Sequence, residues 1–128
     1  MSDRQFRFAY FTPAYDETVG FYRDGLGMRI IHSWDRSRDD RGTLVAAASG
    51  LVEILARPQS QAEHLFDDRP PQGAFMVIEV DDVELAYHRA VTNQLPIQQE
   101  LGIQSWGHRS FCVREPNGLT VYLFSPAA

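Results

Sequence analysis

A single cysteine, Cys112, occurs among the 128 residues. One thiol excludes an intrachain disulfide and any cysteine-built zinc or iron–sulfur site within one chain. No apolar run approaches the roughly 20 residues that span a bilayer. The opening Met-Ser-Asp-Arg-Gln-Phe-Arg-Phe lacks the apolar core of a secretory signal. Charge of one sign is not concentrated either. The 12 basic and 17 acidic side chains leave a net −5, and Arg36, Arg38 and Arg41 alternate with Asp35, Asp39 and Asp40. Nucleic acid wants a concentrated basic face, so neither nucleic acid nor membrane is an expected partner. Gly-x-Ser-x-Gly, phosphate-loop and dinucleotide fingerprints are all missing. What remains is a globular composition, 44% hydrophobic and 23% charged, of a length that suits one domain, expected in the cytoplasm.

The chain reads as one pattern twice. Phe6–Thr12 is aromatic and strand-like, Pro13 closes it, and Asp16 is placed to cap a helix running to about Gly25, stopped by Gly25 and Gly27. Strands follow at Met28–Trp34, Thr43–Ala48 and Leu51–Ala56, with a polar turn at Asp35–Gly42 and a hairpin at Ser49-Gly50. The second half opens with Ala74–Val80. A capping box at Asp81 and Glu84 then starts a helix whose face is Val83, Ala86, Tyr87, Ala90 and Val91. Strands at Pro96–Gln104, Arg109–Arg114 and Leu119–Phe124 complete it, the last two turned by Glu115-Pro116-Asn117-Gly118. The two capping aspartates, Asp16 and Asp82, are 66 residues apart, and the strands keep that offset. The expected organisation is a single domain of two βαβββ modules, about 5–56 and 73–125, joined by a linker, 57–72, with three prolines and three glutamines. Such an α+β fold has mostly antiparallel sheets with a helix on one face of each.

The order βαβββ–βαβββ, the segment Thr18-Val-Gly-Phe-Tyr-Arg-Asp-Gly-Leu-Gly27 and the segment Trp106-Gly-His-Arg-Ser-Phe-Cys-Val-Arg-Glu-Pro-Asn-Gly118 resemble the glyoxalase/bleomycin-resistance/dioxygenase superfamily, the vicinal oxygen chelate fold. The likeness runs over nearly the whole chain. It implies cupped sheets with helices on the convex faces and function on the concave face. It also implies four metal-ligand positions, on the first, fourth, fifth and eighth strands, usually His, Gln or Glu. Here those positions fall on Arg7, Glu53, Phe75 and Tyr122. Arginine has no lone pair to offer, phenylalanine has no donor atom, and neutral tyrosine is a weak oxygen donor. One carboxylate does not hold a divalent ion, so no metal and no other cofactor is expected.

Strand alternation separates an apolar face from a mixed one. Phe6, Phe8 and Tyr10 oppose Arg7, Ala9 and Phe11; Val52, Ile54 and Ala56 oppose Leu51, Glu53 and Leu55. Ala74, Met76, Ile78 and Val80 oppose Phe75, Val77 and Glu79; Val121 and Leu123 oppose Thr120, Tyr122 and Phe124. The mixed set is the expected cup lining. It yields a candidate ligand site of Arg7, Phe11, Trp34, Glu53, Phe75, Trp106, His108 and Tyr122, an aromatic pocket with a few orienting charges. Arg7 and Glu53 read equally as ligand contacts or as an ion pair with each other. Phe124 reads as core filling and Cys112 as a buried structural thiol. His88 reads as helix surface and His64 as linker, and no His-x-His or His-x3-His spacing occurs. The resemblance leaves two functions open. One is a metal-free protein that sequesters an aromatic, possibly cationic small molecule, like bleomycin-resistance proteins; the other is an enzyme of the same fold with an atypical metal site or none. Homodimerisation is expected, because half-cups leave exposed sheet faces and edges.

Overall fold

The computed structural model describes residues 4–58, 69 and 71–127; most of the expected linker, including His64, lies outside them. Strand β1 (Arg7–Thr12) leads into helix α1 (Tyr15–Gly20), which passes into a π-helical turn, Phe21–Gly25. Strands β2 (Ile30–Ser37), β3 (Asp40–Ala47) and β4 (Gly50–Ala56) follow. The second half holds β5 (Phe75–Glu79), helix α2 (Val83–Thr92), β6 (Ile97–Ile103), β7 (His108–Arg114) and β8 (Thr120–Pro126). Each half forms a four-stranded sheet, ordered β1-β4-β3-β2 and β5-β8-β7-β6. Within each, the first and last strands pair in parallel and the other two pairs are antiparallel. Neither sheet closes into a barrel, and the α+β class is as expected.

Local chemistry moves several boundaries. The polar stretch Asp35–Gly42 is strand on both sides of a turn at Arg38-Asp39. Cross-strand charge pairs hold this edge hairpin together, Arg36 with Asp40 at 3.0 Å and Arg41 with Asp35 at 3.4 Å. Asp16 does not cap α1. Ala14 holds the N-cap position, its N–H donates to the Thr12 hydroxyl, and its carbonyl accepts from the Thr18 hydroxyl. Helix α2 is capped by Asp82, not Asp81, through the Leu85 N–H at 3.1 Å. Glu84 pairs with Arg109 instead of closing a capping box. Val91 is exposed, since it sits about 80° round the helix from Val83. Gly27 and Gly118 have φ of +73° and +91°, the left-handed conformations that end the first helical segment and the Glu-Pro-Asn-Gly turn.

One core joins the halves. The apolar strand faces, with Tyr10, Val52, Ile54, Phe111, Val121 and Leu123, meet Val19, Tyr22, Val83 and Ala90 from the helical segments. A buried polar chain crosses between them. Tyr10 Oη bonds Tyr22 Oη (3.1 Å) and donates to Glu115 Oε2 (2.9 Å). Thr12 donates to Asn117 Oδ1 (2.6 Å), whose Nδ2 donates to Thr18 (3.1 Å). Glu115 is a buried carboxylate at 1% exposure, and it also accepts from the Asn117 and Leu119 backbone amides and from Asn117 Nδ2. Outside this chain, Arg89 and Asn93 both donate to the Asp24 carbonyl.

Candidate functional site

Burial separates the two faces of each strand. Tyr10 and Thr12 are buried while Arg7 and Ala9 are exposed; Val52, Ile54 and Ala56 are buried while Leu51, Glu53 and Leu55 are half-buried. The mixed faces are thus the ones open to solvent.

On the first sheet Arg7 Nη1 lies 3.3 Å from Glu53 Oε1, and Arg7 Nη2 donates to Gln5 (3.3 Å). The two ionic side chains neutralise one another. Phe11 and Glu53 share a cavity of about 430 Å³ with Leu55, Arg69 and Pro71. Two strands away, opposite Gly42, stands Trp34. A β-carbon on Gly42 would lie 2.1 Å from the indole Cζ2, so only glycine leaves the ring its seat. Trp34 stacks on His32 (5.9 Å, 28°), donates to Asp40 (3.0 Å), and has the Arg36 guanidinium 5.8 Å from its centroid. His32 went unassigned in the sequence, although its i, i+2 spacing from Trp34 on a strand puts both on one face.

On the second sheet Tyr122 is the hub. Trp106 Nε1 donates to its hydroxyl at 3.0 Å, and His108 Nδ1 lies 3.0 Å from the same oxygen. An indole N–H can only donate, so the Tyr122 oxygen accepts from Trp106; towards His108 the same hydroxyl donates or accepts according to the imidazole tautomer. The His108 ring lies flat on Phe124, centroids 3.8 Å apart and 15° between planes. Phe124 is accordingly a half-buried ledge on the mixed face and not core filling. Cys112, opposite Tyr122 in the ladder, is also half-buried on this face. Its thiol donates to Gln99 Oε1 (3.6 Å), and burial pushes its pKa up. Phe75, on the outer strand β5, is 63% exposed and Trp106 is 61% exposed.

The eight candidates therefore form separate groups: Arg7 with Glu53 beside Phe11, Trp34 with its neighbours, Trp106 with His108 and Tyr122, and Phe75 at the edge. The hydrogen bonds and ring contacts just described run within one sheet or the other. The four positions at which the family implies a metal do not suit one, because Glu53 is bound to Arg7 and the other side chains offer at most a phenol. Among the described residues, no three His, Cys, Asp or Glu side chains gather as a metal cluster.

Similar architectures are known. TioX from Micromonospora sp. ML1 matches with a TM-score of 0.76 at 17% identity, covering 97% of this chain and 99% of that one. Superfamily members from Alicyclobacillus acidocaldarius (TM-score 0.67, 16% identity, 98% and 93% covered) and from Sphaerobacter thermophilus DSM 20745 (0.69, 14%, 97% and 98%) share the fold. Comparison with curated protein sequences gave no match. A family model spans residues 4–123, both sheets and the helices between them, and by that match the chain belongs to the Glyoxalase/Bleomycin resistance protein/Dioxygenase superfamily.

Proposed function

We propose that the chain, as a single two-module domain in the cytoplasm, binds and sequesters a small aromatic ligand on its mixed faces without a resident metal. The observation that carries this is the aromatic platform on the second sheet. Trp106 is open to solvent yet held by Tyr122, and His108 is stacked on Phe124. A preordered aromatic surface lowers the ordering cost of binding a flat ligand. A cationic ligand suits the indole faces and the net −5. Glu53, already paired with Arg7, contributes as a counter-charge only if that pair opens. Phe75 and Val77, exposed on β5, support a homodimer in which a second chain covers them.

Quenching of tryptophan fluorescence by a panel of planar cationic and neutral aromatics tests the reading. A contact to an indole in such a site is worth roughly 0.5–2 kcal/mol, so Trp106→Ala should weaken binding about two- to thirtyfold. Affinity unchanged in both Trp106→Ala and Tyr122→Phe would refute it.

A further inference from the structure

Side chains along β7 alternate between the core and the mixed face. Phe111 and Val113 belong to the core, whereas His108 and Cys112 meet Tyr122 and Gln99 on the mixed face. Ser110 lies between those two on the same face, opposite Phe124 on β8 and Gly102 on β6. It is 0% exposed, and its Oγ has no hydrogen-bond partner among the described residues. An unused lone pair on a buried oxygen is tolerated, but a buried O–H without an acceptor has given up its water for nothing. Ser110 therefore carries an unmet donor into the floor of the aromatic platform.

The register shows what lies over it. His108 opposes Pro126, Ser110 opposes Phe124 and Cys112 opposes Tyr122. His108 Nδ1 nevertheless comes within 3.0 Å of the Tyr122 hydroxyl, so the imidazole leans across the Ser110–Phe124 pair to get there. On the way it lies flat on the Phe124 ring, at 3.8 Å and 15°. On the other flank Gly102 has no side chain, and a β-carbon there would meet nothing nearer than the Glu100 carbonyl at 4.0 Å. When the imidazole swings away, Tyr122 keeps the bond from Trp106.

We propose that His108 is a movable cover over Ser110 and that the ligand is a planar aromatic carbonyl compound. Its ring takes the imidazole's seat on Phe124, and its oxygen accepts the Ser110 hydroxyl proton. This rests on the aromatic site proposed above and adds the ligand's functional group. One ring replaces another on the same face of Phe124, so stacking is exchanged and not lost. The hydroxyl gains the acceptor that the fold does not supply. A neutral carbonyl suits this floor better than a carboxylate, whose charge would be stripped of water among aromatic rings.

The test titrates two probes into the full chain: coumarin, which carries a ring carbonyl, and naphthalene, a similar bicycle without one. NMR follows the His108 ring protons and the Trp106 indole N–H. We expect coumarin to bind more tightly than naphthalene and to move the His108 ring protons to the positions of an unstacked imidazole. Ser110→Ala should weaken coumarin about two- to tenfold. It should leave naphthalene unchanged and the urea midpoint unchanged or higher, since no hydrogen bond is lost. His108→Ala removes the cover and should tighten both probes. Weaker binding in His108→Ala would overturn the cover. Unaltered coumarin affinity, or a lowered midpoint, in Ser110→Ala would overturn the assignment of the carbonyl. Naphthalene binding as tightly as coumarin, with both weakened by Trp106→Ala, would sink this inference while the aromatic site stands. Binding of neither probe would sink both.

Discussion

Glu115→Gln exchanges a buried carboxylate for an amide of the same shape, and the hydrogen bonds around it set the cost. Oε1 accepts the backbone N–H groups of Asn117 and Leu119, while Oε2 accepts Tyr10 Oη and Asn117 Nδ2. Glutamine offers one oxygen and one NH2. If the oxygen serves the two backbone amides, the NH2 confronts Tyr10 and the Asn117 amide. Tyr10 has an escape, since it can turn its proton to Tyr22 and accept. Asn117 Nδ2 keeps Thr18 for one hydrogen but loses the acceptor of the other unless the amide flips, and a flip costs the bonds with Thr12 and Thr18. One buried donor without a partner costs about 1–3 kcal/mol, and loss of the charge-assisted bonds adds to it. The expected destabilisation is about 2–4 kcal/mol, a large share of the roughly 5–15 kcal/mol that holds an ordinary domain. Urea unfolding followed by circular dichroism should show a midpoint lowered by about 1–2 M at an unchanged slope. Adding Tyr10→Phe should cost less than the sum of the two single changes, because they share one bond. A shift in midpoint below about 0.3 M would refute the idea that the carboxylate ties the modules.

Three further outcomes are expected. Burial holds the Tyr10 and Tyr22 phenols far above their ordinary pKa; their protons stay on in the fold while the unfolded chain loses them. Stability should therefore be fully present below about pH 10 and fall above it by roughly 1.4 kcal/mol per pH unit for each tyrosine; a denaturation series whose slope Tyr10→Phe leaves unaltered would contradict this. Elemental analysis of the purified protein should find no stoichiometric divalent metal, whereas one zinc, nickel, manganese or iron per chain, lost on Glu53→Ala, would revive the enzyme reading. Light scattering at micromolar concentration should give twice the chain mass, and a monomer mass would leave the exposed β5 face unexplained.

The strand faces were legible because apolar side chains recur every second residue, and Val52/Ile54 against Leu51/Glu53/Leu55 needs no tertiary information. The positions of Arg7, Glu53, Phe75 and Tyr122 followed from the same alternation once the family pattern supplied the register. Asp16 misled because a carboxylate near a helix start looks like a cap, whereas the helix already begins at Tyr15, with Ala14 at the N-cap and no side-chain cap bond, and Thr12 and Thr18 hydrogen-bond the Ala14 backbone instead. The hairpin around Arg38 was missed because strand propensity counts side chains singly, and this edge is held by cross-strand ion pairs. Alternation says which face a residue is on, not which sheet stands opposite it, so spacing alone does not decide whether Trp34 and Trp106 share one pocket. His108 and Phe124 meet diagonally on one face, because His108 opposes Pro126 and Ser110 opposes Phe124, a detail of register that spacing alone does not carry.

The bonds Tyr10–Glu115 and Thr12–Asn117 each join residues 105 apart in the chain. During synthesis, which adds about 5–20 residues per second from the N-terminus, the first strand waits on the order of 5–20 s for the turn that completes its hydroxyl partners. Within the first module, β1 likewise finds its parallel neighbour only after β4 has been made. The first half of this protein is therefore born with buried-to-be hydroxyls and a sheet edge still open. Its final packing belongs to the finished polypeptide and not to the growing one.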